Sequence, residues 1–382
     1  MSEFASQYFA ACQGPVLEQA REIIRCWTSA DQRTYGVMVD YLQRRAKGLR
    51  PGLCIAVCRA LGGSLEEVLP SAAVVELFHN AFLIHDDIED GSLERRGAPA
   101  LHQSHGTPIA LNIGDGLLAL ALRPLLTNTE HLGLARTLQI LEIIVQMVTE
   151  SFEGQAMELR WIADGTWDLS DADYEDMVRK KTCVYSFIAP AQVGAVVARA
   201  PEPVRDQLTA YMQSLGLAFQ IQDDLLNLER ARDKYGKEYQ GDLWEGKRTL
   251  MLLHALREAS TSERTEALQI LSSPRPQGGA RGHEFDYLVD ELHEFSVIDG
   301  RTKNAINSYL AARAEPVKSV QDVSVLRQFI DDHQGVEHAR SVAARHAEAA
   351  RVAWQELSGQ LSASVHTRFL AGLTDFVVAR EH

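Results

Sequence analysis

An all-α fold is what this 382-residue sequence predicts, on three observations. Apolar residues recur with the 3.6-residue period of amphipathic helices over long segments, such as 132–152 and 336–361. Alternating or β-branched runs, from which strands are built, are few. Hydrophobic residues make up 46% of the chain, ample for the buried core of one large helical domain or two smaller ones.

In chain order, Pro51 marks the start of a helix, with Lys47 and Arg50 three apart just ahead of it. The apolar run 74–85 predicts a largely buried helix that ends in Asp86-Asp87-Ile88-Glu89-Asp90, and 132–152 follows as a long amphipathic helix. Leu215-Gly216-Leu217-Ala218-Phe219-Gln220-Ile221-Gln222 leads, on a second buried helix, into Asp223-Asp224-Leu225-Leu226-Asn227. The polar, glycine-containing stretch 236–241 contains Lys237 and leads toward Lys247, where it could close as a lid. Residues 274–282 are a loop by composition, 285–292 are helix-like, and 336–361 form the last long helix.

Carboxylates crowded onto buried helices repel one another and lose hydration, so they require cations. At about 100° per residue, Asp86 and Asp90 share one helix face with Asp87 beside it, and Asp223, Asp224 and Asn227 repeat the arrangement. Two such faces turned toward each other would line a cavity with oxygens suited to hard divalent ions. Mg2+ keeps several waters and binds through a few carboxylates plus substrate phosphates, so the implied ligand is a diphosphate. One such cluster alone is an ordinary charged helix turn; two embedded in apolar sequence argue for a site.

Basic side chains for a diphosphate stand near both clusters: Lys47 and Arg50, Arg95 and Arg96, Lys181, Lys237 and Lys247. Any one alone reads as a solvated surface charge. Arg95-Arg96, directly behind the first cluster, is the most specific, because a planar guanidinium matches phosphate oxygens two at a time. His79 stands two helical turns before Asp86 on the same face; alone it would be a satisfied core histidine.

On these residues the chain resembles the trans-isoprenyl diphosphate synthases, the family of farnesyl and geranylgeranyl diphosphate synthases. The resemblance runs through Lys47-Gly48-Leu49-Arg50-Pro51, the block from Glu76 to Gly97, Asn112-Ile113-Gly114-Asp115 and Gly154-Gln155-Ala156-Met157-Glu158-Leu159. It continues through Lys181-Thr182, Gln220-Ile221-Gln222-Asp223-Asp224 and Gly241-Asp242-Leu243-Trp244-Glu245-Gly246-Lys247, and resumes near Gly335 and Phe376. It implies a helical bundle around a central diphosphate and Mg2+ cavity, in which isopentenyl diphosphate is joined to an allylic diphosphate.

Carried over residue by residue, the resemblance makes Asp86, Asp90 and Asp223 direct ligands of three Mg2+ ions, with Asp87 and Asp224 as ligands or outer partners. Arg95, Lys181 and Lys247 hold the allylic diphosphate, with Lys237 close by. Lys47, Arg50, His79 and Arg96 resemble the metal-free site for isopentenyl diphosphate. Thr182 and Gln220 place neutral oxygen dipoles near the allylic cation, and departing pyrophosphate takes the proton, so no protein nucleophile is required. A homodimer is also implied, although nothing in the sequence fixes its interface.

Two positions depart from the family pattern. Gly48 stands where an extra arginine is usual, and Asn227 replaces the usual third aspartate of the second motif. The expectation is a working second site and weaker metal binding rather than lost activity. For product length, Phe82 lies four residues before Asp86, with its ring about 6 Å down the helix axis in the cavity. Ala81 leaves room at a position that also limits growth in the family. Together they favour a 20-carbon geranylgeranyl product over a farnesyl one.

A net charge of −14 disfavours nucleic acid and anionic membrane surfaces as partners. Cys12, Cys26, Cys54, Cys58 and Cys183 form no zinc pattern and read as reduced, mostly buried thiols of a cytoplasmic protein. His102 and His105 lack matching carboxylates or cysteines for a metal site. With no signal peptide and no apolar run of about 18 residues, membrane insertion is not expected.

The chain reads as a single domain over 1–382 with an insertion at about 274–318. That insertion is either a surface segment with one or two peripheral helices, or a contact surface or flap over the active-site mouth. Two other functional classes compete. A class I terpene cyclase needs only one diphosphate site and carries an Asn/Ser/Glu-type second motif. A non-catalytic regulatory subunit would lose an aspartate motif, and both persist here.

Overall fold

The computed structural model describes residues 2–26, 32–44, 46–229, 240–275, 289, 291–295, 297–313 and 317–378. The first half of the bundle is α1 (Ser2–Arg25), α2 (Gln32–Leu42), α3 (Leu49–Ala60), α4 (Leu65–Glu89), α5 (Leu101–His105), α6 (Thr107–Ala121), α7 (Arg123–Leu132) and α8 (Leu134–Ala163). There follow α9 (Asp171–Val178), a π-helical stretch (Arg179–Ile188), α10 (Ala189–Val197) and α11 (Glu202–Glu229). Beyond these come the helices Gly241–Glu245, Leu250–Glu258, Thr261–Ser272, Gly300–Arg313, Val320–Asp332, Gly335–Ser358, Val365–Ala371 and Leu373–Val378. Among the described residues the only strands are β1 (Glu94–Arg95) and β2 (Ala98–Pro99), an antiparallel hairpin. The fold is all-α, as the periodicity predicts.

Two boundaries differ from expectation. Helix α3 begins at Leu49, so Arg50 sits in its first turn and Pro51 follows it instead of opening the helix. First-turn N–H groups have no intrahelical acceptor, so a proline there sacrifices no bond. The long periodic segment that starts at 132 is interrupted between α7 and α8. A break of one residue hardly disturbs an apolar pattern averaged over several turns, so periodicity passes over it.

Helix α4 runs through the core of one half. The Ser64 hydroxyl accepts from the Glu67 N–H at 3.1 Å, and Glu66 and Glu67 in the first turn suit the positive helix end. Along its length Val74, Leu77, Ala81 and Ile84 are fully buried, packed with α2, α3, α6 and α8 in one cluster. Burial of Leu77 and Ile84, worth about 1.5–3 kcal/mol each, anchors the helix beneath the carboxylates at its C-terminal end. In the other half, α11 packs along Gly335–Ser358, and the π-helical stretch lies against both α8 and α11.

Gly154 makes the contact of α8 with that stretch possible. A Cβ on Gly154 would fall 2.3 Å from the backbone nitrogen of Lys181. Of the expected insertion, Gly300–Arg313 is a helix, whereas residues 276–288 lie outside the described residues. Two helical stretches are long and apolar enough to cross a membrane, Leu65–Glu89 and Thr107–Leu132. In the first, 72% of the apolar window is buried inside the protein, and the helix ends in the aspartates.

Candidate active site

Three cations from three different elements converge on the first aspartate cluster. From the hairpin, Arg95 Nε donates to Asp87 Oδ1 at 2.7 Å and its Nη2 to Asp86 Oδ2 at 3.2 Å. From the π-helical stretch, Lys181 Nζ stands 3.4 Å from Asp86 Oδ1 and also donates to Glu158 of α8. Beyond the turn Gly241–Glu245, Lys247 Nζ reaches Asp90 Oδ2 at 2.9 Å and Glu245 Oε2 at 3.0 Å.

Burial and charge pull against each other here. Burial pushes the Asp90 carboxyl up to about 7, against the opposing pull of Lys247. For Lys181, burial alone would lower the pKa, but Glu158, Asp86 and Asp90 hold it well above the usual lysine range. Glu158 is fixed in its ionised form: burial works against the charge, and Lys181 and Lys247 outweigh it.

The second cluster is tied into a chain of hydrogen bonds. Thr182 Oγ1 donates to Gln220 Oε1 at 3.1 Å, and Gln220 Nε2 donates to Asp224 Oδ1 at 2.7 Å. Tyr174 OH donates to Asp224 Oδ2 at 2.7 Å. Burial raises the Asp224 carboxyl to about 6, with the two donors drawing it back. Since protein donors engage both of its oxygens, Asp224 suits an outer-partner role, while Asp223 beside it is partly exposed. Asn227 Oδ1 accepts the backbone N–H of Asp242 at 3.1 Å, so the residue that departs from the family pattern holds the turn preceding Lys247.

A second basic cluster forms around His79, two turns back along the same face of α4. Arg50 Nη1 lies 2.9 Å and Arg96 Nη2 3.4 Å from His79 Nε2. Guanidinium groups only donate, so Nε2 must accept and the ring proton sits on Nδ1. Burial, reinforced by Arg50, Arg96 and Arg95, holds His79 well below its ordinary pKa and therefore neutral. Arg96 Nη1 donates to Asn80 Oδ1 at 3.0 Å, and Asn80 Nδ2 donates to the buried Glu76 carboxylate at 2.9 Å. Arg50 Nη2 donates to Tyr185 OH at 2.6 Å and to Ser186 Oγ at 2.8 Å.

Lys47 lies exposed just ahead of α3, and Lys237 lies outside the described residues with most of the 236–241 stretch. Gly48 adopts φ 65°, a left-handed conformation that an arginine would occupy only under strain. Phe82 is partly buried against Tyr185 and Phe78, whereas Ala81 is wholly enclosed in the core beside it. Sequence reasoning gives no role to Glu158, Asn80, Tyr174 or Tyr185. The one available signal was Glu158, a carboxylate one helical turn after Gly154, on the side that meets Lys181.

Among the described residues, no three acidic, histidine or cysteine side chains converge closely enough to hold a metal ion by themselves. The donor set is nonetheless hard oxygen, and burial, with Asp86 adding to it, raises the Asp90 carboxyl. It fits divalent ions whose remaining ligands are phosphate oxygens and water, with Asp86, Asp90 and Asp223 as the residues to hold them.

Paired acidic and basic clusters inside an all-α bundle are suited to holding diphosphates. The polyprenyl synthetase family model matches residues 31–284, and the chain belongs to that family. A short chain isoprenyl diphosphate synthase of Methanocaldococcus jannaschii is 35% identical over 258 residues, 68% of this chain and 77% of that protein. A geranylgeranyl diphosphate synthase of Methanosarcina mazei is 33% identical over 276 residues, 72% of this chain and 80% of that protein. Among solved structures, a polyprenyl synthase from Caulobacter crescentus CB15, complexed with calcium and isoprenyl diphosphate, superimposes with a TM-score of 0.77 at 25% identity. That match covers 100% of this chain and 98% of the other.

Proposed function

We propose that the protein carries out Mg2+-dependent head-to-tail (1'-4) condensation of an allylic diphosphate with isopentenyl diphosphate, giving a short-chain all-trans product, geranylgeranyl diphosphate. The observation that carries this reading is the division of the basic residues into two clusters. Arg95, Lys181 and Lys247 meet the aspartates, while Arg50, His79 and Arg96 meet one another. Two diphosphates, one with metal and one without, match that division.

In this reading Arg95, Lys181 and Lys247 turn from carboxylates to the allylic diphosphate and hold its oxygens as the C–O bond breaks. Mg2+ held by Asp86, Asp90 and Asp223 would neutralise charge on the departing pyrophosphate. Thr182 and Gln220 present oxygen dipoles to the allylic cation, and Arg50, His79 and Arg96 orient isopentenyl diphosphate so that its double bond attacks. Attack leaves a cation at C3 of the isopentenyl unit, and the pyrophosphate accepts a proton from its C2 as the C–H electron pair becomes the new double bond. The second basic cluster weighs against a cyclase, and the persistence of both aspartate motifs weighs against a regulatory subunit.

A homodimer is part of the proposal. Leu126, Leu134, Leu138, Val145 and Phe152 are each more than half exposed along α7 and α8, a surface suited to a second copy. Solution mass tests it: a monomer that retains full activity would remove it. All five thiols are free, which supports a reducing, cytoplasmic setting. The test of activity is chromatographic analysis of products from isopentenyl diphosphate with dimethylallyl, geranyl or farnesyl diphosphate, with and without Mg2+. A linear 20-carbon diphosphate formed only with Mg2+ is expected. Another linear length rejects the assigned product, a cyclic hydrocarbon from one diphosphate establishes a cyclase, and no turnover favours a subunit that needs a partner.

A further inference from the structure

Steps back along α4 match steps forward along the π-helical stretch. At one level Asp86 faces Lys181 at 3.4 Å. Four residues back on α4 and four residues on along the π stretch, Phe82 meets Tyr185 edge to face, with ring centroids 5.6 Å apart and planes at 83°. Phe78 stands behind Phe82 with centroids 6.2 Å apart. Four residues of helix advance about 6 Å, so this aromatic pair lies one turn below the diphosphate cations, across the path of a chain anchored there.

Tyr185 also belongs to the other cluster. Its hydroxyl accepts from Arg50 Nη2 at 2.6 Å, the Arg50 guanidinium lies 4.4 Å from its ring centre, and the His79 ring lies 6.0 Å away. Ser186 takes a second bond from the same Arg50 nitrogen at 2.8 Å. A guanidinium held by a hydroxyl, a stacked ring and a serine has little freedom left, and the stacked ring is also the one opposite Phe82.

We propose that Tyr185 is a specificity and positioning residue with two separable parts: its ring limits product length from the wall opposite Phe82, and its hydroxyl aims Arg50 at the metal-free diphosphate. The inference rests on the chain-elongation reading above. The ring acts by filling space, so removing it lengthens the product. The hydroxyl acts through Arg50, so its removal is felt by isopentenyl diphosphate and leaves the allylic substrate unaffected.

The experiment compares the full chain with Tyr185→Phe, Tyr185→Leu and Tyr185→Met, assayed with Mg2+, isopentenyl diphosphate and farnesyl or geranyl diphosphate. Products are sized by chromatography, KM is measured for each substrate, and thermal melting checks folding. Tyr185→Phe is expected to keep the product length and raise KM for isopentenyl diphosphate about tenfold or more, as for one lost hydrogen bond to a charged group, with the allylic KM unchanged. Leucine or methionine is expected to shift the main product longer by at least one five-carbon unit; having both keeps the test open if one fails to fold. Unchanged product length in the folded variant overturns the ring's role, and an unchanged or equally shifted pair of KM values in Tyr185→Phe overturns the hydroxyl's. No linear product from the unaltered chain overturns the elongation reading and this inference with it.

Discussion

Arg95 and Arg96 are consecutive in sequence and bonded to different clusters: Arg95 Nε donates to Asp87 Oδ1 at 2.7 Å, and Arg96 Nη1 donates to Asn80 Oδ1 at 3.0 Å. The separation is made by the hairpin. Arg95 ends β1, and Arg96 turns the chain at φ 58°, a left-handed conformation that costs a non-glycine residue about 1–2 kcal/mol. Two neighbouring guanidiniums are thereby sent to two different clusters.

Their substitutions should therefore separate kinetically. Arg95→Gln is expected to lower kcat/KM for the allylic substrate by about a hundredfold, a loss typical of one oxyanion-stabilising donor, with a smaller effect on KM for isopentenyl diphosphate. Arg96→Gln should raise KM for isopentenyl diphosphate and spare the allylic KM. Steady-state kinetics with each substrate varied in turn checks this; identical profiles for the two variants would contradict the division.

Glu158→Gln takes from Lys181 its buried carboxylate partner and leaves it Asp86 as a counter-charge at 3.4 Å. Breaking a buried ion pair from one side costs about 3–5 kcal/mol, so the melting temperature should fall. Activity should fall further than folding accounts for, because Lys181 loses its aim. Glu158→Asp keeps the charge and should recover part of the rate. A glutamine variant with unaltered kinetics would show that Asp86 alone positions the lysine.

Dependence on pH follows from Asp90, whose carboxyl burial raises to about 7. Only the ionised carboxylate can hold a cation, so protons compete with metal below that value. The Mg2+ concentration for half-maximal activity should rise as pH falls through about 7, by up to tenfold per unit, and level off above it. Mg2+ titrations at several pH values between 6 and 8 check this; a flat profile would remove Asp90 as a titrating ligand.

Asn227→Asp restores an acidic oxygen beside Asp223 without removing the acceptor that holds the Asp242 N–H. Asn227 is buried, so a further carboxylate there loses hydration and is repelled by its neighbours: the metal-free protein should melt lower, and the Mg2+ requirement should fall. Melting curves and Mg2+ titrations measure both; an unchanged requirement would make Asn227 a structural residue only.

Both aspartate clusters and their buried helices were legible because carboxylates in apolar sequence have few bland explanations. The groups around Arg95, Lys181 and Lys247 follow from the same reasoning joined to the family resemblance. Asn80 and Tyr185 were not legible, because each matters through a contact with a distant segment. Tyr185 meets Phe82 and Arg50 only after the π-helical stretch has set its direction. Helical period also misplaced two boundaries, since neither Pro51 in a first turn nor the break before α8 disturbs an apolar stripe. Ala81 and Phe82 were read together as a floor, yet Ala81 is enclosed in the core and Phe82 faces Tyr185.

The stretch Arg179–Ile188 closes its hydrogen bonds one residue later than an α-helix does. A turn of this kind holds an extra residue, so excising one amino acid there would let the segment rewind as an α-helix, with its ends held and the side chains between them shifted in bearing. Lys181, Thr182, Tyr185 and Ser186 could not then all keep their present bearings. The register of Lys181 is thus written in the number of residues between α9 and α10 as much as in their identity, and a deletion that removes none of the named side chains would still disturb the cluster around Asp86.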